Sequence, residues 1–377
     1  MTNKRTKASP EVSLYKKFSA KIAGGKTDVL FLRHLPKPAE IGEKVCVLFD
    51  ETLLGYPEFG KWVRAFPVKV GLRAGESLKD LRSFAENFHK IQSANRTQAS
   101  RGVVFCVVGG GSVGDFGAFV ASVYKRGAGL VHIPSTWLAA LDSAHGGKTG
   151  LNTDYGKNQV GTFYSAQKIY VVESLLMQQG PERVHDAYGE LAKMALIEGG
   201  ATYREVAGAS VVNSEMMWRL LPKGIRAKYK IVAKDPFEQK SIRDVLNLGH
   251  TMGHVFEFEC GVGHGLAVSY GLEFAIRFGC YLAGKSWDGK NDLIDRLTLP
   301  TSQVLIQELP WARVFARLCE DKKVTSNGRI KFVVPNAPGK VKVQEIDIRQ
   351  IEKFYAQLMK LASKNPNLIP SRQLAGG

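Results

Sequence analysis

The chain has 377 residues, of which 44% are hydrophobic and 23% charged, a composition typical of a soluble globular protein long enough for two domains. No apolar run reaches the ~18 residues of a transmembrane helix, and the basic N-terminus has no apolar segment behind it, so neither a membrane span nor a secretory signal is expected. The net charge of +17 is spread along the chain without a zinc finger, an RNA-recognition motif or a long basic helix, which favours an anionic small substrate over nucleic acid.

Strand and helix patterns alternate in the first half of the chain, after a basic flexible tail predicted over 1–20. Apolar runs predict strands at 43–51, 66–72, 102–108 and 130–136. Helical periodicity is present at 78–92 and 113–127. Strands that alternate with helices predict a Rossmann-like parallel sheet with both faces covered, and we assign this NAD-binding α/β domain to residues 21–175.

Helical patterns dominate the second half of the chain. The predicted helices are 184–199, 243–259, 266–284 and 351–363. A lone strand is predicted at 328–335. We therefore assign a mostly α-helical metal- and substrate-binding domain to residues 176–365 and a loose C-terminus to 366–377.

The five cysteines are scattered, odd in number and never spaced as C-x-x-C. This pattern indicates a reducing compartment and predicts a cytoplasmic protein without disulfides or a thiolate metal site.

A glycine-rich turn, VVGGGSVGDFGAF, follows a predicted strand and opens a helix. Gly109, Gly111 and Gly114 fit the pattern G-x-G-x-x-G, in which glycines let the backbone approach a pyrophosphate at a helix N-terminus. The acidic residue usual about 20 positions later is missing, so a tight strand–helix turn without a cofactor is the alternative. Asp50 ends the first predicted strand, where it either holds a ribose hydroxyl or only terminates the strand.

Three of the eight histidines lie in the stretch LNLGHTMGHVFEFECGVGHGLAV. His250 and His254 are four residues apart and share a face if the segment is helical, and His264 is predicted to begin the next helix. Thr251 follows the first histidine, which excludes the zinc-protease motif. Two histidines and one carboxylate would make a catalytic zinc site, with Glu190 as the candidate carboxylate. Histidines on a polar helix surface are the alternative.

The glycine turn and the histidines belong to a longer series of motifs. GESLKDL, GGGSVGDFGAFVASVYKRG, HIPSTWLAALDSAHGGKTGLN and GKNQVGTF are followed by GELAKMALIEG, LNLGHTMGHVFE, GHGLAV and DKKVTSNGRIKFVV. This ordered series, over about 43–340, resembles the 3-dehydroquinate synthase family and its relatives, the sugar-phosphate cyclases. The resemblance implies an enzyme that uses NAD and one divalent metal, usually zinc, with cobalt as the alternative.

The resemblance also implies roles for individual side chains. The implied metal ligands are Glu190, His250 and His264. The implied NAD contacts are Asp50, Glu76, Lys79, Gly109, Gly110, Gly111, Asp115, Ser135, Thr136 and Lys157. The implied substrate contacts are Arg126, Asp142, Lys148, Asn158, Lys193, Lys228, Arg243, Asn247, His254 and one of Lys322 and Lys323. In the family, the arginine matching Arg126 reaches across a dimer interface, which implies a homodimer.

The family's reaction accounts for these residue types. Its substrate, 3-deoxy-arabino-heptulosonate 7-phosphate, carries a carboxylate and a phosphate, which lysines and arginines bind. The implied reaction proceeds by transient oxidation with NAD, phosphate elimination, re-reduction and intramolecular aldol closure to 3-dehydroquinate, with the metal as a Lewis acid. The net reaction is redox-neutral and is a step of the shikimate pathway, which leads to the aromatic amino acids.

The chain departs from the family pattern at several positions. Leu266 replaces a usual glutamate after His-Gly, which is expected to loosen the hydrogen bonding that orients His264. One extra residue separates Glu238 from Arg243, and Ser135 replaces a usual threonine. The segment VVESLLMQQGPERV differs from the pattern that the family has beside the nicotinamide.

Other functions stay open at this point. Within the resemblance, Asn247 and His254 favour 3-dehydroquinate synthase over the valiolone-type cyclases, and an inosose-type cyclase stays an alternative. A glycerol-dehydrogenase-type polyol dehydrogenase, which would release NADH, is disfavoured by the motifs DSAHGGKTG and GKN. A nucleic-acid-binding protein that had lost activity would be expected to lack ligands, whereas Glu190, His250 and His264 are all in place.

Some of these residues also have simpler interpretations. Lys148 and Lys157 lie in glycine-rich turns and could be solvated. Asp142 could cap a helix. Arg243 and Asn247 could share a polar helix face with His250.

Overall fold

The computed structural model describes residues 14–22, 25–96, 102–287, 293, 309–320, 324–325 and 327–364. The chain divides into two compact units, Met1–Gln179 and Gly180–Gly377. The first unit is built on a largely parallel sheet and the second is mostly helical, which confirms the predicted α/β fold class. Among the described residues, no helix combines the length and hydropathy of a membrane span.

A seven-stranded sheet organises the N-terminal unit. The seven strands of the sheet are β1 Leu14–Ile22, β2 Gly25–Leu32, β3 Val45–Asp50, β4 Val68–Leu72, β5 Val104–Gly109, β6 Gly129–Pro134 and β9 Lys168–Val172. The remaining two strands of the unit, β7 Lys148–Thr153 and β8 Gly156–Phe163, form a separate hairpin. The order across the sheet is β1-β2-β9-β6-β5-β3-β4, and every pair is parallel except β1 with β2.

Helices connect these strands. They are α1 Pro38–Ile41, α2 Pro57–Arg64, α3 Leu81–Ala94, α4 Gly111–Val123 and α5 Glu173–Leu176, with 3-10 turns at Glu51–Gly55, Glu76–Lys79 and Tyr124–Arg126 and a π-helical turn at Ala139–Ser143.

The central strands are buried on both faces. In β3, Val47 and Phe49 pack in one core with Phe59 of α2, while Cys46 and Leu48, on the opposite face, are equally inaccessible. Such strands appear in the sequence as continuous apolar runs and not as alternating ones. Burial raises the pKa of Cys46 to about 12, so this thiol is an inert core group.

The inner part of the predicted N-terminal tail is a strand. The sequence predicts a tail up to residue 20, but β1 begins at Leu14 and pairs with β2, so the prediction is wrong for 14–20. The basic residues suggested a flexible tail, but exposed lysines are also typical of an edge strand. One of them, Lys17, pairs with Asp28 of β2 at 3.2 Å. Residues 1–13 and the predicted loose C-terminus, 366–377, lie outside the described residues.

The C-terminal unit contains most of the helical structure. Its helices are α6 Pro181–Glu198, α7 Gly200–Ala207, α8 Ser214–Val232, α9 His250–Cys260, α10 His264–Ala283, α11 Trp311–Glu320 and α12 Ile348–Lys364, with a 3-10 turn at Arg243–Asn247. Helix α10 packs against α6 and α9. A Cβ atom at Gly265 would overlap the backbone oxygen of Asp186 on α6, and one at Gly271 would overlap that of Gly249. These glycines let three helix backbones touch, which brings the facing side chains together.

The segment predicted as one helix over 243–259 is two elements. The 3-10 turn ends at Asn247, Gly249 has a left-handed φ of 82°, and α9 begins at His250. The prediction of a continuous helix is wrong because Gly249 turns the chain where it packs against α10. Arg243 and Asn247 therefore do not share a regular helix face with His250.

The strand predicted to stand alone at 328–335 is half of a hairpin. Strand β10, Arg329–Ala337, pairs antiparallel with β11, Lys340–Asp347. The partner was missed because KVKVQEID is polar and largely exposed, which leaves little apolar signal. Phe278 of α10 packs with Phe332 of β10 and with Phe354 of α12, with ring centroids 5.3 Å apart in each pair.

Candidate metal and cofactor sites

The three predicted metal ligands meet in the C-terminal unit. Glu190 lies on α6, while His250 and His264 begin α9 and α10. One ligand atom from each residue lies within 4.8 Å of the other two. Among the described residues, this is the one such group of histidine, cysteine or acidic side chains. The close approach of the three helices at their glycines produces this convergence.

Each histidine ligand is held through its Nδ1 atom. Nδ1 of His250 lies 3.2 Å from the backbone oxygen of Leu248, and Nδ1 of His264 lies 2.8 Å from Oε2 of Glu257. Both partners are acceptors, so in the neutral rings Nδ1 carries the proton and donates it. The Nε2 atoms then keep their lone pairs, which is the tautomer that metal binding requires.

Buried charges balance one another around the carboxylate. Glu190 and Lys193 are 1% and 2% exposed, and Nζ of Lys193 lies 2.5 Å from Oε2 of Glu190. Burial lowers the pKa of His250 well below its usual range, and the ammonium of Lys193 adds to the effect. His250 is therefore a neutral imidazole near neutral pH, which is the form that binds a metal ion.

The donor set fits a small divalent cation. Two imidazoles and one carboxylate are a ligand set of catalytic zinc sites, where bonds of about 2.0–2.2 Å place neighbouring donors roughly 3.3–3.6 Å apart. Oε1 of Glu190 lies 3.4 Å from Nε2 of His250, which agrees with that spacing. Nitrogen and oxygen donors of this kind also bind other first-row metals, including cobalt.

His254 lies beside the ligand group without belonging to it. Its ring centroid is 5.6 Å from that of His250 and 6.3 Å from that of His264. The mutually close donor atoms come from Glu190, His250 and His264 alone. The histidine segment therefore supplies two candidate ligands and one neighbouring imidazole, whose predicted contact with substrate stays a prediction.

Three cations predicted to contact substrate are buried in the same unit. Lys193 on α6, Lys228 on α8 and Arg243 in the 3-10 turn are 2%, 6% and 3% exposed. Lysine and arginine are almost never fully buried unless they are paired. Asn247, at the end of the same turn, is exposed. These cations share the unit with the buried acids Glu190, Asp235 and Glu273.

The loop before Arg243 is organised by one carboxylate. Asp235 accepts hydrogen bonds of 2.8–3.4 Å from the backbone N–H groups of Gln239, Lys240, Ile242 and Arg243. Within this loop Glu238 and Ser241 have left-handed φ values of 57° and 56°, which cost about 1–3 kcal/mol each in non-glycine residues. The hydrogen bonds to Asp235 offset that cost and accommodate the extra residue between Glu238 and Arg243.

We expect Asp235→Asn to destabilise the protein in a pH-dependent way. Burial raises the pKa of Asp235, but four backbone N–H donors outweigh it and hold the pKa below the usual 3.8. A lowered pKa stabilises the folded state fully above about pH 4, and this contribution is lost as the pH falls through the folded-state pKa. The melting temperature of the variant should be lower at pH 7, by at least about 2 °C.

Thermal unfolding of both proteins, measured from pH 7 down to the lowest pH at which they fold, gives the difference in melting temperature. The difference in melting temperature between wild type and Asp235→Asn should become smaller as the pH falls below the usual pKa of an aspartate carboxyl. Glu205→Gln, which removes an exposed acid paired with Lys223, is the control and should change the melting temperature little at any pH. A melting-temperature difference that is the same at every pH would contradict the role of the ionised Asp235 carboxylate.

The predicted NAD contacts gather at one edge of the N-terminal sheet. The residues at or just beyond the carboxyl ends of β3, β4, β5 and β6 are Asp50, Glu76, Lys79, Gly109, Gly110, Gly111, Asp115, Ser135 and Thr136. Strand β3 has β4 on one side and β5 on the other, so the strand order reverses between β3 and β5. Ligands of open α/β sheets bind outside the carboxyl ends of the strands at such a reversal.

The glycine turn leaves a helix N-terminus open. A Cβ atom at Gly109 would lie 2.6 Å from Cβ of Val113, so packing alone requires a glycine there. Cβ atoms at Gly110 and Gly111 would lie 3.3 and 3.4 Å from side-chain atoms of Thr136 and Ser143, which are tight contacts that a small side-chain shift could relieve. Packing therefore constrains these two glycines less than Gly109, and a phosphate group near the N-terminus of α4 would also favour glycine there.

Lys79 links several predicted site residues of this unit. Its buried Nζ donates to Oδ2 of Asp115 and to Oδ1 of Asn158, both at 2.6 Å. Asn152 donates to Oε2 of Glu76 at 2.7 Å and accepts the backbone N–H of Asn158 at 2.9 Å. Burial raises the pKa of Asp115, and the Lys79 ammonium opposes that rise. Residues from three chain segments are thereby fixed in one hydrogen-bonded network.

Three other predicted site residues of the N-terminal unit lie in three separate elements. The Asp50 carboxylate accepts hydrogen bonds from the backbone and hydroxyl of Thr52, so it does cap the end of β3. Arg126 is exposed and follows Lys125 in consecutive left-handed positions, with φ values of 68° and 50°. Asp142 lies in the π-helical turn, an element frequent at functional sites.

The remaining predicted lysines of the N-terminal unit are exposed to solvent. Lys148 begins β7 and Lys157 lies in β8, and both are exposed. Lys322 and Lys323 lie outside the described residues.

Sequence reasoning missed three residues that support these sites. Asn152 and Asp235 act through hydrogen bonds that no spacing indicates. Glu257 had a usable signal, because it stands seven residues after His250 and three after His254, on the same face of α9.

Family profiles cover both units of the chain. The profile described as 3-dehydroquinate synthase N-terminal matches residues 69–186, and the one described as 3-dehydroquinate synthase C-terminal matches residues 187–324. The 3-dehydroquinate synthase of Thermococcus kodakarensis is 34% identical over 283 residues, which are 74% of this chain and 79% of the relative. The chain belongs to the 3-dehydroquinate synthase family, as its motifs predict.

Solved structures with this fold include two other cyclases. A 2-deoxy-scyllo-inosose synthase, complexed with carbaglucose-6-phosphate, NAD+ and Co2+, matches with a TM-score of 0.74 and 22% identity over 91% of this chain and 100% of its own. A 2-epi-5-epi-valiolone synthase from Streptomyces hygroscopicus, with NAD+ and Zn2+ bound, matches with a TM-score of 0.71 and 19% identity over 94% of this chain and 99% of its own. At this level of identity, the match concerns the fold.

Proposed function

We propose that the protein is a cytoplasmic, homodimeric lyase that converts 3-deoxy-arabino-heptulosonate 7-phosphate to 3-dehydroquinate and phosphate. The observation that carries the proposal is the group of Glu190, His250 and His264 beside the buried Lys193, in a chain of the 3-dehydroquinate synthase family. The identity of 34% to a 3-dehydroquinate synthase, against 22% to an inosose synthase, favours the heptulosonate substrate over that of another cyclase.

The proposed enzyme needs a divalent metal and NAD. Glu190, His250 and His264 would hold the metal, and the carboxyl edge of β3–β6 would hold NAD, as the donor set and the open helix N-terminus support. When bound, the metal supplies a Lewis acid and NAD supplies reversible hydride transfer. Zinc and cobalt both suit the donors.

The chain's own residues bind and orient an anionic substrate. The proposed substrate carries a carboxylate and a phosphate, and the desolvated Lys193, Lys228 and Arg243 are matched to such groups. His254, beside the ligand group, is the proposed hydrogen-bonding and proton-transfer residue. Binding in fixed geometry is the protein's main contribution to a reaction whose steps are mostly intrinsic to the substrate and cofactor.

Phosphate release, measured together with NADH absorbance, tests the proposal. Full-length protein with zinc or cobalt and a catalytic amount of NAD should release phosphate from the heptulosonate phosphate with no net NADH. A chelator should stop the release, and added metal should restore it. Release of phosphate from another sugar phosphate, and not from the heptulosonate phosphate, would move the assignment to another cyclase. Accumulation of NADH with glycerol would indicate a polyol dehydrogenase.

A further inference from the structure

The second histidine ligand has a carboxylate partner on a neighbouring helix. Oε2 of Glu257, in α9, lies 2.8 Å from Nδ1 of His264, the first residue of α10. The two side chains are 22% and 38% exposed, so the contact is only partly shielded from water. Leu266 stands where the family usually has a glutamate, and the carboxylate beside His264 belongs to Glu257 of α9.

His264 needs such a partner more than the other ligands do. The side chains of Glu190 and His250 are 1% and 14% exposed, so packing restricts their rotamers. The ring of His264 is 38% exposed at a helix terminus, where less packing fixes its orientation. The hydrogen bond from Nδ1 to Glu257 restrains this ring in addition to its ring contacts with His250 and His254.

The end of α9 is itself anchored, which fixes the position of Glu257. Glu259 pairs with Arg313 and Arg317 of α11, with N–O distances of 2.6 and 2.9 Å. The guanidinium of Arg317 also lies 4.3 Å from the ring centroid of Phe258. The residues directly after Glu257 are thus tied to α11, so its carboxylate is presented from a restrained helix turn.

We propose that Glu257 is a positioning residue for the metal centre. Its carboxylate accepts the Nδ1 proton of His264, selects the tautomer with a lone pair on Nε2, and makes that nitrogen a stronger donor. Partners of this kind contribute about 10–100-fold to metal affinity in other sites. The inference rests on the proposed metal site, but it does not depend on which sugar phosphate the enzyme uses.

Metal affinity, measured by competition with a chromophoric chelator, tests the role of Glu257. Glu257→Ala should bind zinc about 10–100-fold more weakly than wild type, and Glu257→Gln should lose less because its amide oxygen still accepts a hydrogen bond. The visible absorption bands of the cobalt-loaded protein should shift in both variants. Glu205→Gln, which removes an acid paired with Lys223 in the same unit, is the matched control and should bind metal as wild type does.

The outcomes separate this inference from the proposed function. Zinc affinity of Glu257→Ala within about twofold of wild type, with an unchanged cobalt spectrum, would overturn the role of Glu257. If the alanine variant fails to fold, an unchanged affinity and spectrum of Glu257→Gln would overturn it equally. Wild-type protein that binds no divalent metal would overturn both the metal site and the inference. Metal binding that weakens in the Glu257 variants, without phosphate release by wild type, would support the inference and contradict the proposed substrate.

Discussion

Replacing His250 with alanine should abolish stable metal binding and lower phosphate release by at least about 10³-fold. The variant removes one of three donors, and its effect on affinity should exceed the roughly 100-fold that loss of an orienting partner costs. A Lewis acid contributes several kcal/mol to reactions of this type, and each 1.4 kcal/mol is tenfold in rate. Few other single changes in the chain should have so large an effect on activity.

The His250→Ala protein should nevertheless fold. The Glu190 carboxylate keeps the Lys193 ammonium as its partner at 2.5 Å, so no isolated charge is left buried. Metal at about a hundred times its Kd stabilises a protein by about 2.7 kcal/mol, so the melting temperature of wild type should rise on metal addition. That rise should be absent in His250→Ala, whose melting temperature should be close to that of metal-free wild type.

Two other histidine variants make the measurement specific. His185→Ala removes an exposed imidazole from α6 and should retain both metal binding and activity. His254→Ala should retain metal binding but lose turnover, since the ring of His254 lies outside the ligand group. Normal zinc content in His250→Ala, or loss of zinc in His254→Ala, would contradict the assignment of the ligands.

Replacing Lys79 with methionine should weaken both NAD binding and the fold. The Lys79 side chain is 6% exposed, and its ammonium holds Asp115 and Asn158. Methionine fills a similar volume but leaves the Asp115 carboxylate desolvated and unpaired, which should cost about 2–4 kcal/mol of unfolding free energy. NAD affinity, measured by calorimetry or fluorescence, should fall at least about tenfold because a charge-assisted contact network at the cofactor edge is lost.

A double variant distinguishes the two effects. Lys79→Met with Asp115→Asn removes both charges, so most of the lost stability should return, while NAD affinity should stay low. Lys90→Met, which breaks an exposed pair with Glu86 in the same unit, should change neither property. NAD affinity that recovers together with stability in the double variant would show that Lys79 acts only on the fold.

Much of the fold was predictable from local patterns. The apolar runs of β3 and β5 and the helical spacing of α6 and α12 indicate buried elements of the right type, because burial on both faces of a strand leaves a continuous apolar run and burial of one helix stripe leaves a helical period. Edge elements were less predictable. The partly exposed β1 and β11 were missed because few of their side chains enter a core, and the buried β2 and β9 were not predicted either.

The sequence predicted which residue types the candidate sites contain, but it predicted less of how those residues contact one another. The motifs place glycines, acids and histidines on the correct elements, and the resemblance relates them to NAD and a metal. The break at Gly249 was not predicted, because the left-handed turn is needed only where α10 packs against it. Leu266 suggested a poorly oriented His264, yet Glu257 lies within hydrogen-bonding distance once α9 and α10 are packed together.

The sequence by itself determined the family, the two-part α/β and helical plan, and the set of candidate ligands, because these depend on residue identity and on periodicity along the chain. Only the tertiary structure decided which carboxylate orients His264, how Asp235 holds the loop before Arg243, and which partners Lys79 pairs with. These contacts join residues as far as 79 positions apart, as between Lys79 and Asn158. Their distances are set by close backbone packing at glycines and by strand order, which no local pattern contains.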